Sequence, residues 1–298
     1  VSVSAKEKGN YLTIAAGSSS PDETGLTGVI GMTILGNGKV RAGIDSNANI
    51  DARNLNVIAS KEDNFINALV AFANGQESYG FGLSGVALTD SVESYIAGII
   101  NASENVNVKA NYDKTIVNAN ANFGVAKDGS DAPIGEKAED SVEDYYNFNE
   151  LFNEEPDTGT SGYKWYNLIK KYKKKSEKIN DLTQRFDKYY DYTRAANPDK
   201  NTKANAGGVN LNLAVNEVKA QIKDGAKINA EKNVTVNASS RDSIVNTGAV
   251  VSANGKSGNG GTILADITNS NIEASIGNSE VNSKKDVSVK ASEDYKLI

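Results

Sequence analysis

Apolar and polar residues alternate along this chain in short stretches, and one such stretch recurs. Val234-Thr235-Val236-Asn237-Ala238 has counterparts at Val1-Ser2-Val3-Ser4-Ala5, Leu55-Asn56-Val57-Ile58-Ala59, Val106-Asn107-Val108-Lys109-Ala110 and Val287-Ser288-Val289-Lys290-Ala291. A period of two is the pattern of a β-strand that buries one face. Counted between the closing alanines, the steps are 54, 51, 128 and 53 residues. Three agree, and the odd one exceeds them by about 75 residues, so the third repeat carries an insertion.

Other strand-like stretches keep the same order within each repeat. Tyr11-Leu12-Thr13-Ile14-Ala15-Ala16 corresponds to Ala68-Leu69-Val70-Ala71-Phe72, and Gly28-Val29-Ile30-Gly31-Met32 corresponds to Gly82-Leu83-Ser84-Gly85-Val86. Each repeat reads as about five short strands separated by Gly, Asn, Ser and Asp. Strands this short cannot cover a hydrophobic face alone, but stacked coils shield one another and build a thin continuous core. The expectation is a mainly β fold, a right-handed parallel β-helix. A period near 51 residues would make two coils of about 25, or three of about 17, with Asn and Ser stacked in ladders at the turns. An antiparallel sandwich gives no reason for one strand order to recur at fixed spacing.

The alternation stops near Lys127 and resumes at Gly207-Gly208-Val209. Of the 20 Tyr and Phe residues, 11 fall between Tyr145 and Tyr192, as does the single tryptophan, Trp165, so the inserted segment has its own aromatic content. Ser141-Val142-Glu143-Asp144 reads as a capping box. Trp165, Leu168, Tyr172, Lys175, Ile179, Leu182, Phe186 and Tyr189 then recur at steps of three and four, as a helical seam does. Residues 128–157 hold eleven acidic residues, whereas 164–178 hold seven lysines, so two antiparallel helices would face opposite charges. The expected organisation is β-helix over 1–127, an α-helical hairpin over 128–203 and the same β-helix continued over 204–298. The seam residues are the hairpin's own core. Tyr146, Tyr166, Tyr190 and Tyr192 lie off that seam and, with Lys170, Lys171, Lys173 and Lys174, form the candidate contact surface for a protein partner, a glycan or an anionic surface.

Composition narrows the chemistry. These 298 residues contain no histidine and no cysteine, which excludes a Ser-His-Asp hydrolase and a histidine or thiolate zinc centre. A net charge of −6 offers no nucleic-acid surface, and no apolar run reaches the ~18–20 residues of a membrane-spanning helix. Asp45-Ser46-Asn47-Ala48-Asn49-Ile50-Asp51 resembles a calcium loop, but Ile50 and Asn56 stand where an EF-hand has glycine and glutamate; it reads as a polar turn feeding a strand. The glycine-rich stretch 255–261 lacks the order of a phosphate-binding loop and also reads as a turn. No catalytic, cofactor or metal residues are expected. A β-helical polysaccharide lyase, with clustered Asp and a basic residue, is the enzymatic alternative, and a plain spacer is the structural one. Val1 opens inside a strand signature and the only methionine is Met32, so the chain reads as a monomeric segment of a longer protein.

The stretch Gly207-Gly208-Val209-Asn210-Leu211-Asn212-Leu213-Ala214-Val215, with the strand signatures that follow it, resembles the repeats of large secreted filamentous adhesins and haemagglutinin-like exoproteins. The Lys-, Asn- and Ile-rich usage is most similar to leukotoxin-family members from fusobacteria. The resemblance covers 1–127 and 204–298 and does not extend to the insertion. It implies a non-catalytic stalk, export through an outer-membrane β-barrel translocator, and display or release at the bacterial surface.

Overall fold

The computed structural model describes residues 1–19, 24–126, 202–253 and 257–298. Three strands make one coil. The first coil is β1 (Ser2–Ser19), β2 (Thr24–Ile44) and β3 (Asn49–Ala52). The second is β4 (Leu55–Gly75), β5 (Glu77–Ile96) and β6 (Ile99–Ala102), and the third is β7 (Val106–Ala126), β8 (Lys203–Ile222) and β9 (Lys227–Ala230). The fourth is β10 (Val234–Ala253), β11 (Ser257–Ile276) and β12 (Glu280–Ser283), followed by β13 (Val287–Leu297).

Every strand pairs in parallel with its counterpart one coil away. This produces three sheets, ordered β1-β4-β7-β10-β13, β2-β5-β8-β11 and β3-β6-β9-β12. The closing alanines Ala5, Ala59, Ala110, Ala238 and Ala291 lie in register across the first sheet, so the sequence repeat is the coil repeat. Strands of about 20 residues span roughly 66 Å, which makes each coil a flattened loop: two long sheets face each other and the four-residue sheet closes one end.

The repeat is therefore a single coil of three strands, and the expectation of two coils of about 25 residues with five short strands is corrected. The reason lies in the interior. Inward positions along a strand pass from Val and Ala through Lys and Asp to Phe and Ile and then to Asn, as in Leu55, Val57, Ala59, Lys61, Asp63, Phe65 and Asn67 of β4. Polar residues that look like turns in the sequence are inward members of unbroken strands.

Near the short sheet the core is conventional. Val40, Leu55, Val57, Val92, Ile96, Ile100, Val106, Val218, Ile222, Ile228 and Val234 form one buried cluster with the inward alanines. The expected ladders are present at the turn that leaves this sheet. Asn54 Oδ1 accepts the Asn105 N–H at 3.1 Å, Asn105 Oδ1 accepts that of Asn233 at 3.2 Å, and Asn233 Oδ1 accepts that of Asp286 at 3.2 Å. Residues 45–48 form a turn leading into β3, and Asp45 accepts the Tyr95 hydroxyl at 2.5 Å, in line with the polar-turn reading. Gly225, at φ +79°, makes the tight turn between β8 and β9 that a side chain would strain. Among the described residues no helix is long and apolar enough to cross a membrane.

Candidate functional site

Two positions beyond the closing alanine, the inward row of the first sheet reads Glu7, Lys61, Tyr112, Ser240 and Glu293. Two further on it reads Gly9, Asp63, Lys114, Asp242 and Tyr295. Opposite them, the second sheet contributes Gly38, Asp90, Asn216 and Ser270 in register. The result is an ionic layer across the interior, packed against the apolar row of Phe65, Ile116 and Ile244.

Lys61 Nζ lies 2.5 Å from Asp90 Oδ1, 3.3 Å from Asp63 Oδ2 and 3.2 Å from Glu7 Oε1. The Tyr112 hydroxyl donates to Asp90 Oδ2 at 2.6 Å and stands 3.1 Å from Asp63 Oδ2. Burial opposes the Lys61 ammonium, but hydrogen bonding and attraction from the carboxylates outweigh it and raise its pKa. Burial raises the Asp63 carboxyl, with Lys61 working against it and Asp90 with it. Burial and the same two carboxylates push the Tyr112 phenol far up. A side chain at position 38 would collide with Asp90 and Lys61, so Gly38 makes room for their contact.

One coil along, Lys114 Nζ lies 3.0 Å from Asp242 Oδ2, and both side chains are completely excluded from solvent. Asp242 also accepts Asn216 Nδ2 at 3.1 Å and Ser240 Oγ at 3.1 Å. Here burial dominates, and the Lys114 pKa falls despite its acidic neighbour. Lys114 and Asp242 are sealed from solvent, whereas Gly38, Asp90 and Asn216 on the second sheet also line an open surface cleft. The layer works on the chain itself: the closest partners, Asp90 for Lys61 and Asp242 for Lys114, come from the facing sheet and the next coil, so a slipped register would leave these charges buried and unpaired.

The accessible candidate lies on the outer face of the second sheet, at the end away from the short sheet. An open depression of about 350 Å³ is lined by Leu26, Tyr79, Phe81, Asn205 and Asn259, with glycine and alanine backbone between them. Gly28, Phe81, Gly207 and Gly261 share one row, so the Phe81 ring, 45% exposed, has bare backbone on either side. Asn205 Oδ1 accepts the Asn259 N–H at 3.3 Å. The Tyr79 hydroxyl donates to Glu77 at 3.3 Å, and Glu77 pairs with Lys203 at 2.8 Å, which holds its carboxyl below the usual range. An aromatic face beside amides suits the apolar face and hydroxyls of a sugar ring, or a peptide aromatic. The segment 127–201 leaves after β7 and returns before β8 at this same end, where the second coil needs only Gln76 to join β4 to β5.

The surface expected from sequence, Tyr146, Tyr166, Lys170, Lys171, Lys173, Lys174, Tyr190 and Tyr192, lies outside the described residues, as does the hairpin that would carry it. Of the glycine-rich stretch, residues 257–261 belong to β11, which corrects their reading as a turn; 255 and 256 lie outside the described residues. Among the described residues, no three side chains suited to holding a metal ion converge. Sequence reasoning missed Lys61, Asp63, Asp90, Lys114 and Asp242. The signal was available for the first sheet, because carrying the alternation two and four residues past Ala59, Ala110 and Ala238 places Lys61, Asp63, Lys114 and Asp242 on the inward side. No protein-family model matches the chain, and neither curated proteins nor solved structures match it.

Proposed function

We propose that this chain is a non-enzymatic segment of a large bacterial filamentous exoprotein of the adhesin or leukotoxin type, secreted or held at the cell surface. In this reading a right-handed β-helical stalk presents a contact surface at the edge where residues 127–201 emerge. Residues 128–203, in the same reading, carry a helical hairpin whose off-seam tyrosines and lysines, with the Tyr79–Phe81 depression, contact a host-cell protein or glycan. The observation that carries the reading is the stack itself. Its coils repeat in register along one axis, and its buried charges Lys61, Asp63, Lys114 and Asp242 pair with one another or with Asp90 in holding that register.

The test removes the two parts of the surface separately. One variant replaces residues 127–201 by the single-residue link that joins β4 to β5; the other carries Tyr79→Ala and Phe81→Ala. Binding of each to host cells and to a glycan array is compared with the full chain. Loss of binding in either variant, with strand content retained by circular dichroism, supports the contact role. Unchanged binding in both leaves the chain a plain spacer and removes the proposal.

A further inference from the structure

We propose that Lys114 and Asn216 are joined by an intramolecular isopeptide bond, formed by the folded chain itself with Asp242 as the proton-transferring acid. Three strands bring the three groups together. Lys114 stands on β7, Asp242 beside it in register on β10, and Asn216 opposite them on β8. The lysine nitrogen and the asparagine amide nitrogen approach one oxygen, Asp242 Oδ2, at 3.0 and 3.1 Å. Although Lys114 Nζ lies 3.0 Å from that carboxylate, both Nζ and Asn216 Oδ1 are buried without a hydrogen-bond partner. An orphaned buried polar atom calls for an explanation, and here two belong to groups that meet at one carboxylate oxygen.

The reaction balances without any added reagent. Proton transfer along the 3.0 Å contact turns the ammonium and carboxylate into a neutral amine and a carboxylic acid, which changes no net charge in the layer. With the Asn216 amide turned over so that Oδ1 in place of Nδ2 faces Asp242, the acid protonates Oδ1 and activates the amide carbon. The Lys114 nitrogen attacks that carbon, forming the Nζ–Cγ bond, and loses a proton to the carboxylate. The acid passes that proton to Nδ2, the Cγ–Nδ2 bond breaks and ammonia leaves, and Oδ1 returns its proton to Asp242 as the carbonyl re-forms. Asn216 and Glu217 line a surface cleft of about 350 Å³, which offers the ammonia a way out.

The surroundings favour this chemistry at Lys114 and not at the other buried lysine. Lys114 lies against the Tyr112 ring at 5.8 Å and next to Ile116 and Ile244, and its burial favours the uncharged, nucleophilic amine. Lys61 is held as an ammonium by Glu7, Asp63 and Asp90, and no amide side chain is among its partners. One bond per chain is therefore expected. It closes a loop of about 100 residues around the whole 127–201 segment, at the coil that segment interrupts, in a chain with no cysteine for a disulfide.

Intact mass spectrometry of the full chain, purified and unfolded in denaturant, tests this. The expected mass is lower than the sequence mass by one ammonia, and digestion yields a branched peptide joining Lys114 to Asn216. Cleavage at a specific protease site engineered within residues 127–201 should leave the two halves joined on a denaturing gel. In Lys114→Arg the full sequence mass returns and the halves separate. A full mass in the folded wild-type chain overturns the proposal. Loss of one water instead overturns it in favour of a Lys–Asp link. Loss of ammonia with separable halves also overturns it, since that marks an asparagine that has cyclised alone.

Discussion

The half of each coil beside the short sheet and the half beside the emerging segment follow the same alternation, but in the far half many inward positions are polar and a small apolar cluster of Val29, Leu69 and Ala71 is buried among them. Near the short sheet, Val57, Val108 and Val236 point inward while Asn56, Asn107 and Lys109 face out. Towards the far edge, Asn67, Asn118, Asn120, Asn210 and Asn212 point inward, while Ile66, Val70, Val117, Leu83, Val209 and Leu211 take the outer positions. Leu26, Ile30 and Ile34 on β2 are 72%, 68% and 68% exposed. The ionic layer stands at the change-over.

The contrast separates two ways of holding a solenoid together. Near the short sheet, area removed from water supplies the energy. In the far half, hydrogen bonds supply much of the order. Ser84 Oγ lies 2.5 Å from Asn118 Oδ1, Asn118 donates to Asn212 at 3.0 Å, and Asn212 donates to Asp266 at 2.6 Å. Such bonds add little net stability but are costly to leave unmade, so they specify register more than they add stability. A broad outer apolar surface is uncommon on a free protein and marks a place of contact. The depression at Phe81 lies within it.

The largest effect is expected in the ionic layer. Asp90→Ala removes the nearest partner of Lys61 and the acceptor of Tyr112, and should cost ~3–5 kcal/mol in urea unfolding, as for other broken buried pairs. A loss below 1 kcal/mol would mean the layer is not dry.

Paired truncations compare the two halves directly. Leu55→Ala, in the apolar half, should cost ~2–5 kcal/mol, whereas Asn118→Ala should cost ~1–3 kcal/mol, the penalty of stranding its polar partners. Equal losses, measured by urea titration with unchanged m-values, would erase the distinction between the halves.

A pH effect comes from the turn beside the short sheet. Asn54 at 2.7 Å, with Lys232 and Arg53 at 3.0 Å each, holds the Glu104 carboxyl down to about 2 from an ordinary 4.5. A depressed acid stabilises the fold above its unfolded pKa and loses that contribution as pH falls through the folded value. Melting temperature should therefore drop between about pH 4.5 and 2, and Glu104→Gln should flatten that part of the profile. A variant that follows the parent's acid profile would assign the drop to other carboxylates.

The smallest change in stability is expected on the outer apolar face. Ile30→Asn should alter unfolding free energy by no more than ~0.5 kcal/mol, while lowering fluorescence of a dye that reports exposed apolar surface. If stability falls by several kcal/mol instead, that face is covered in solution.

Sequence alone determined the repeat. Because alternation at period two is a property of one strand and its two faces, the recurring Val-x-Val-x-Ala stretch located the strands of the first sheet. The matching alanines fixed which residues pair, and the long third step placed the interruption after β7. The number of strands per coil was not legible, since Lys61, Asp63 and Asn67 break the apolar run without breaking the strand. Polarity along a chain says which residues differ from their neighbours, not which side they face. Only packing the second long sheet against the first decided that, by bringing Asp90 to Lys61 and Asn216 to Asp242 across 26 to 29 residues of sequence. Contacts between facing sheets depend on where each strand turns back, and no local pattern of residues contains that information.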